Sequence, residues 1–411
     1  MEADLKFRDS IIRAVEDALP HGKNEFASAP AREMRLGINC VSMLSPLTGI
    51  GQYTFNLVQE LQALHLSPWL FYGADWRREV RTQPVPGIGV AKNLIKRLIP
   101  RSYVASRFLL QRGFSRGVQQ HRIQLYHEPS FMLYRFRGPA VVTIHDLSWL
   151  HYAETQPAAR VRELNRMMPA TVESAAHIVV ASEFIRQEVI AYFGVSEDRI
   201  STTALGVAKD FKPRDAGQCL STLQKYELEF GHYILAVATL EPRKNLGTLI
   251  AAFAQLPAAL RRLYPLVIVG MRGWGESLMT DGLQQMIARG EVRLTGYVPQ
   301  KDLPILYAGA RLFVYPSLYE GFGLPPLEAM ACGVPVVVSK RASLPEVVGN
   351  AGILVEPMDD SAIAQHMRAL IEDDLLHRQL SAAGQQRSRL FSWRKCALET
   401  MAVYQQAMNR S

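Results

Sequence analysis

The sequence predicts an α/β protein made of two doubly wound domains in tandem. Three observations carry this. Short apolar runs of strand length alternate with stretches of helical period. The alternation pauses once, in the polar stretch KPRDAGQCLSTLQKYELEFG from Lys212 to Gly231, and then restarts. And 411 residues are too many for one ordinary core but suit two domains of about 150 to 200 residues each. Parallel strands need crossover connections, so the alternation implies parallel sheets with helices on both faces, two Rossmann-like domains in all.

A leader of residues 1–33 comes first. It mixes acids and bases through MEADLKFRDSIIRAVEDALPHGKNE, lacks the apolar core of a secretory signal, and is expected to be helical. The first domain, 34–211, opens with the strand MRLGINCV, the turn-rich SMLSPLTGIGQYT and the helical FNLVQELQALHL. Its further strands are PWLFYG, IQLYHEP, AVVTIHD, HIVVASE and ISTTALG. The second domain, 212–390, places strands at YILAVATL, PLVIVG, VRLTGY, RLFVYPS, VPVVVS and GILVEP, with helices at NLGTLIAAFAQL, LMTDGLQQMIA and LPPLEAMACG. The tail from Ala362 to Met408 is helical and charged, broken by FSW at Phe391–Trp393, and a last helix occupies 391–411.

Composition narrows the function. Cys40, Cys219, Cys332 and Cys396 show no C-x-x-C spacing, so neither a zinc site nor a disulfide framework is indicated. No window reaches the 18 or so apolar residues of a membrane span. A cytoplasmic protein is expected. The net charge of +8 is concentrated: between Glu79 and Glu128 there is no acid and there are nine Arg or Lys residues. Within that segment, 81–122, Leu94, Ile95, Leu98 and Ile99 alternate with Lys96 and Arg97 at helical spacing. Such a helix suits an anionic membrane surface and, equally, an ordinary solvated face. No recognised nucleic-acid module accompanies the charge, so nucleic acid is not expected as a partner.

In open α/β sheets ligands bind beyond the carboxyl ends of the strands, and with two domains the cleft between them is the natural site. In YEGFGLPPLEAM, Glu320 follows the strand RLFVYPS, and Gly321 and Gly323 keep its loop free of bulk. Pro325 and Pro326 fit only the opening turn of a helix. Glu328 is expected near the positive end of that helix, ionised and able to accept from a ribose diol; a plain helix-terminal acid is the alternative. In TLEPRKNLGT, Arg243 and Lys244 end the first strand of the second domain and precede a helix start, an anion site suited to a diphosphate leaving group; a solvated surface pair is the alternative. In the first domain, TGIGQYT sets Gly49 and Gly51 after the first strand, and TIHDLSW sets His145 and Asp146 at another strand end. Asp146 could orient His145. The acidic pairs in EPMDDS and IEDDLL come late and suit helix caps, so no essential metal is expected.

Taken together, EGFGLPPLEAMACGVPVV with LEPRKN, GYV, TGIGQYT and IHD resembles the large family of retaining glycosyltransferases of the GT-B fold, group 4, which includes many bacterial mannosyltransferases. The resemblance spans Met34 to Arg394. It implies that Arg243 and Lys244 grip the donor diphosphate, that Glu328 binds the nucleotide ribose, and that Glu320 lies near the donor sugar. Gly321, Phe322, Gly323 and Leu324 would offer backbone donors to sugar or phosphate. His145 would lie near the transferred sugar, Gly49 and Gly51 would face phosphates and acceptor, and Tyr297 and Val298 of GYV would contact the base. The last helix would cross back onto the first domain. The implied activity is metal-independent, cofactor-free transfer of mannose or a related deoxyhexose from a GDP-linked donor to a lipid-linked oligosaccharide in O-antigen or exopolysaccharide assembly, by a protein peripheral to the inner face of the cytoplasmic membrane. One departure is ALGVAKDF, where the family often has Asn-Gly-Val-Asp, so contacts through Gly206 and Val207 are less secure. An NAD-dependent oxidoreductase is the main competitor. It lacks the third fingerprint glycine after Gly51 and draws its support from Asp75. A non-catalytic partner subunit is the third reading.

Overall fold

The computed structural model describes residues 34–44, 49–73, 75–81, 102–271 and 279–410. The leader and the stretch Lys92–Arg101 of the basic segment lie outside the described residues. Each apolar run read as a strand is a strand, and one more appears. The first sheet has β1 (Leu36–Asn39), β2 (Trp69–Phe71), β3 (Trp76–Arg77), β4 (Leu125–Glu128), β5 (Ala140–Ile144), β6 (His177–Val180) and β7 (Ile200–Thr202). The second has β8 (Ile234–Val237), β9 (Leu266–Val269), β10 (Val292–Gly296), β11 (Leu312–Tyr315), β12 (Val336–Ser339) and β13 (Ile353–Val355). Runs such as LVIV, LFVY and VVVS are buried along their whole length because helices cover both faces.

The strand orders are β3-β2-β1-β4-β5-β6-β7 and β10-β9-β8-β11-β12-β13. In the first sheet β1 pairs in parallel with β2 and β4, β4 with β5, and β6 with β7. In the second, β8 pairs in parallel with both β9 and β11. These are two doubly wound Rossmann-like sheets, as the alternation predicts, and the order reverses between β1 and β4 and between β8 and β11. The extra strand, β3, runs antiparallel at the edge of the first sheet. Its Trp76 packs at 5.2 Å from the Phe71 ring and 5.4 Å from Phe114. A Cβ at Gly117, in the helix Ser102–His121, would come within 2.0 Å of the indole, so only glycine leaves room for it there.

By compactness the chain forms two units, Met1–Val142 with Ala175–His177 and Arg394–Ser411, and Thr143–Ser174 with Ile178–Trp393. The tail is three helices, Asp360–Glu372, Asp374–Ser388 and Trp393–Asn409. Asp359 and Asp373, from the two late acidic pairs, cap the first two of them. The third returns to the first unit, as expected. Its buried Cys396, Ala397, Val403, Tyr404 and Ala407 form the inward stripe, and the Tyr404 hydroxyl meets His127 Nδ1 at 2.7 Å.

Candidate functional site

The reversal between β8 and β11 opens a crevice where helices leave neighbouring strands toward opposite faces. Two loops line it. After β8, Pro242–Lys244 makes a single 3₁₀ turn, Asn245 takes a left-handed φ of 55°, and the helix Leu246–Ala254 follows. Asparagine tolerates that conformation. Here its Nδ2 donates to the carbonyls of Pro316, at 3.1 Å, and Pro357, at 2.6 Å, while Oδ1 accepts from Thr248 Oγ1 at 2.7 Å. The basic turn is thereby fastened to the loops after β11 and β13. Leu318 N donates to the Arg243 carbonyl at 2.9 Å, and Ser317 Oγ lies 3.2 Å from the same oxygen.

Between the loops lies a buried ion cluster. Lys244 Nζ is 2.6 Å from Glu320 Oε1, and an Arg243 guanidinium nitrogen is 3.3 Å from Glu320 Oε2. Arg243 also pairs with Glu241 at 2.7 Å and donates to the Tyr319 carbonyl. Ser317 Oγ and the Tyr315 hydroxyl donate to Glu320 Oε1 at 2.6 and 2.9 Å. Glu320 is 8% exposed. Burial alone would raise its pKa, but Lys244 and Arg243 outweigh burial and hold it down to about 2. Burial works against the Arg243 charge too, and Glu320, Asp146 and Glu241 together reverse the effect, so its pKa is raised. Lys244 is lowered, first by burial and then by Arg243. Sequence reading places the two cations on an open helix terminus; in the structure they are partly neutralised by carboxylates before any ligand arrives.

The end of β5 meets the Glu320 loop within the second unit. A Cβ on Gly321 would lie 1.8 Å from the His145 carbonyl oxygen. Gly321 is therefore required for this backbone contact, a different reason from the ligand clearance read from sequence. Gly323 has φ +121°, and its Cβ would meet Leu344 at 2.8 Å. Ser182 Oγ donates to the Gly321 carbonyl, and Ser343 Oγ to the carbonyls of Glu320 and Phe322, all at 2.8 Å. Asp146 Oδ1 accepts from Ser148 N and Oγ, at 3.0 and 2.8 Å, so it organises the turn into helix Ser148–His151. Tyr319 pins the same region: its hydroxyl donates to Glu188 and accepts from Leu147 N at 3.0 Å. His151 Nε2 is 2.9 Å from the other oxygen of Glu188.

Glu328 departs from its reading. The helix is Leu324–Ala331, with its prolines in the opening turn as expected, but Glu328 lies in the second turn. Burial pushes its carboxyl up to about 8, opposed in part by Tyr307, so near neutrality it holds a proton for much of the time instead of standing ionised. The Tyr307 hydroxyl lies buried beside it. Of the others, Phe322 is buried and edge-on to Phe391 at 5.8 Å, and Leu324 begins the helix. Val298 is buried while Tyr297 is 55% exposed just past β10. Gly49, with φ 40°, precedes the helix Ile50–Ala63, and Gly51 is buried inside it. Asp75, the support for an NAD site, is paired with Arg77 at 2.5 Å. Tyr315, Ser317, Glu241, Tyr319 and Glu188 were not singled out in the sequence. Tyr315 and Ser317 stand at i and i+2 at the strand end VYPS, a spacing that puts both on Glu320's side of the strand. Among the described residues no group of His, Cys, Asp and Glu is arranged to hold a metal ion.

With this geometry in hand, the comparisons with known proteins agree with one another. The family described as Glycosyltransferase Family 4 matches residues 47–211, and the family described as Glycosyl transferases group 1 matches residues 224–387. The chain is 39% identical to the O-antigen chain mannosyltransferase B of Escherichia coli over 87% of its own length and 96% of the relative's. Among solved structures it is similar to sucrose-phosphate synthase from Thermosynechococcus elongatus, with a TM-score of 0.69 at 20% identity, covering 92% of this chain and 100% of that one. It is also similar to WaaG, a glycosyltransferase involved in lipopolysaccharide biosynthesis, with a TM-score of 0.67 at 14% identity, over 90% and 99% of the two chains. These last two speak for the fold.

Proposed function

The chain belongs to the glycosyltransferases of group 1 and family 4, in the GT-B fold, and on that premise we propose that it is a retaining, metal-independent mannosyltransferase of O-antigen assembly. The donor is a nucleotide-diphosphate sugar, GDP-mannose or a related GDP-deoxyhexose, and the acceptor a lipid-linked glycan. The observation that carries the reading is the meeting of Arg243, Lys244 and Glu320 at the carboxyl ends of β8 and β11. Two fixed cations in a buried setting supply what a departing diphosphate requires, stabilisation of charge that grows as the bond breaks. They do so with no reorganisation at the moment of reaction.

In the proposed mechanism the acceptor hydroxyl attacks the anomeric carbon from the face the diphosphate leaves. The bond from that carbon to the β-phosphate oxygen breaks, the bond to the acceptor oxygen forms, and the acceptor's proton passes to the departing phosphate. Glu320 and His145 stabilise the donor sugar. Glu328 accepts from the ribose diol, Tyr297 and Val298 flank the base, and Gly49 and Gly51 face phosphates and acceptor. Phe322 and Leu324 shape the donor side of the loop with Gly321 and Gly323.

For the lipid-linked acceptor the basic segment 81–122 provides membrane attachment. The helix Ser102–His121 within it exposes Leu109, Arg112 and Arg116 at helical spacing on one face, an apolar residue followed by two cations. No helix among the described residues is long and apolar enough to cross a membrane. One set of measurements tests the reading. GDP should raise the melting midpoint more than UDP and NAD should leave it unmoved, because a ligand stabilises whatever state it binds. Lys96, Arg97 and Arg101 changed to Glu should release the protein from anionic vesicles. Stabilisation by NAD alone would end the transferase reading, and undiminished vesicle binding would end the membrane part.

A further inference from the structure

The two oxygens of Glu320 are not equivalent. Oε1 accepts from three donors: Ser317 Oγ at 2.6 Å, Lys244 Nζ at 2.6 Å and the Tyr315 hydroxyl at 2.9 Å. Oε2 is met by Arg243 at 3.3 Å. A carboxylate oxygen has about two lone-pair directions, so Oε1 is saturated and Oε2 keeps capacity for a further donor. Tyr315 is the residue common to both charges. The hydroxyl that donates to Glu320 also accepts from Lys244 Nζ at 3.0 Å, and its ring lies 5.5 Å from that ammonium. An ammonium carries three protons. Tyr315 and Glu320 take two of those on Lys244, and among the described residues the third is uncommitted.

The hydroxyl is not needed to fill space. Tyr315 is 2% exposed and its ring stacks on Phe313 at 5.9 Å, a packing role that phenylalanine would serve as well. Burying a hydroxyl costs free energy unless it is well partnered, and here both partners are ionised. Burial raises the phenol's pKa well above its ordinary value, which keeps it a proton donor toward Glu320.

We infer that Tyr315 is a positioning residue for sugar transfer: it turns Glu320 so that Oε2 meets the donor sugar. The inference rests on the nucleotide-sugar reading above. Tyr315→Phe removes one oxygen and keeps the ring. Its melting midpoint should stay within a few degrees of wild type, its kcat should fall at least ~10-fold, and its Kd for free GDP should change by less than ~3-fold. Because Tyr315 acts through Glu320, adding Tyr315→Phe to a Glu320→Gln enzyme should lower kcat less than ~2-fold further, where independent roles would multiply. Ser317→Ala removes the second hydroxyl from the same oxygen and repeats the test should Tyr315→Phe fold poorly. Wild-type kcat in the single variants, or multiplying losses in the double variant, would overturn the positioning role alone. A wild-type protein that binds neither GDP nor UDP would overturn the donor reading and this role with it.

Discussion

A carboxyl group that keeps its proton near neutrality behaves differently from the fixed anion that a helix-terminal glutamate suggests. Glu328 is half-buried, and that burial pushes its pKa up to about 8. In the proposed function it must be ionised to accept from a ribose diol, so binding expels its proton. The sign follows: below about 8 the unliganded protein holds the proton and binding is penalised, and above that the penalty disappears. GDP affinity should therefore rise with pH, by up to about tenfold per unit between roughly pH 6 and 8, then level off. Calorimetry in buffers of different ionisation enthalpy should report proton release, and Glu328→Gln should abolish the slope. A pH-independent Kd in the wild type would show that Glu328 does not contact the ligand in its charged form.

At the scale of elements, the loops after β5 and β11 are joined through backbone atoms, which cannot step aside as a flexible side chain can. Gly321→Ala would drive a Cβ to 1.8 Å from the His145 carbonyl and should destabilise by about 3 kcal/mol in denaturant unfolding. Gly282→Ala is the matched control. It lies in the helix Asp281–Ala288 with nothing within 4 Å of the added carbon, and should be neutral or stabilise by up to about 1 kcal/mol. Equal effects at both positions would show that the contact at Gly321 is looser than described. The same loops show what was legible in the sequence. The strands were, because buried parallel strands are unbroken apolar runs, and so were Arg243, Lys244 and Glu320, because strand-end position is readable. Two-residue β3 was not, since two residues show no period. The partners of the charges were not either: whether Lys244 meets solvent or Glu320 depends on a contact across 76 residues of sequence. Gly321 was recognised as necessary for a reason that only the position of His145 corrects.

The whole molecule divides unevenly along its length. The first unit takes a helix from well over 200 residues further along the sequence, with Tyr404 closing on His127 and a buried stripe facing inward. A chain ending at Trp393 should retain a folded second unit while amide exchange in β1 and β4 speeds up by orders of magnitude. Unchanged protection in β4 would mean that the helix is an ornament. There is a consequence for the order of events in the cell. The ribosome delivers the first sheet before the second unit and the helix that seals it afterwards, so the sheet waits with apolar surface uncovered while the intervening residues are made. Chaperone demand and sensitivity to changes in the helix Trp393–Asn409 should thus fall on the first unit.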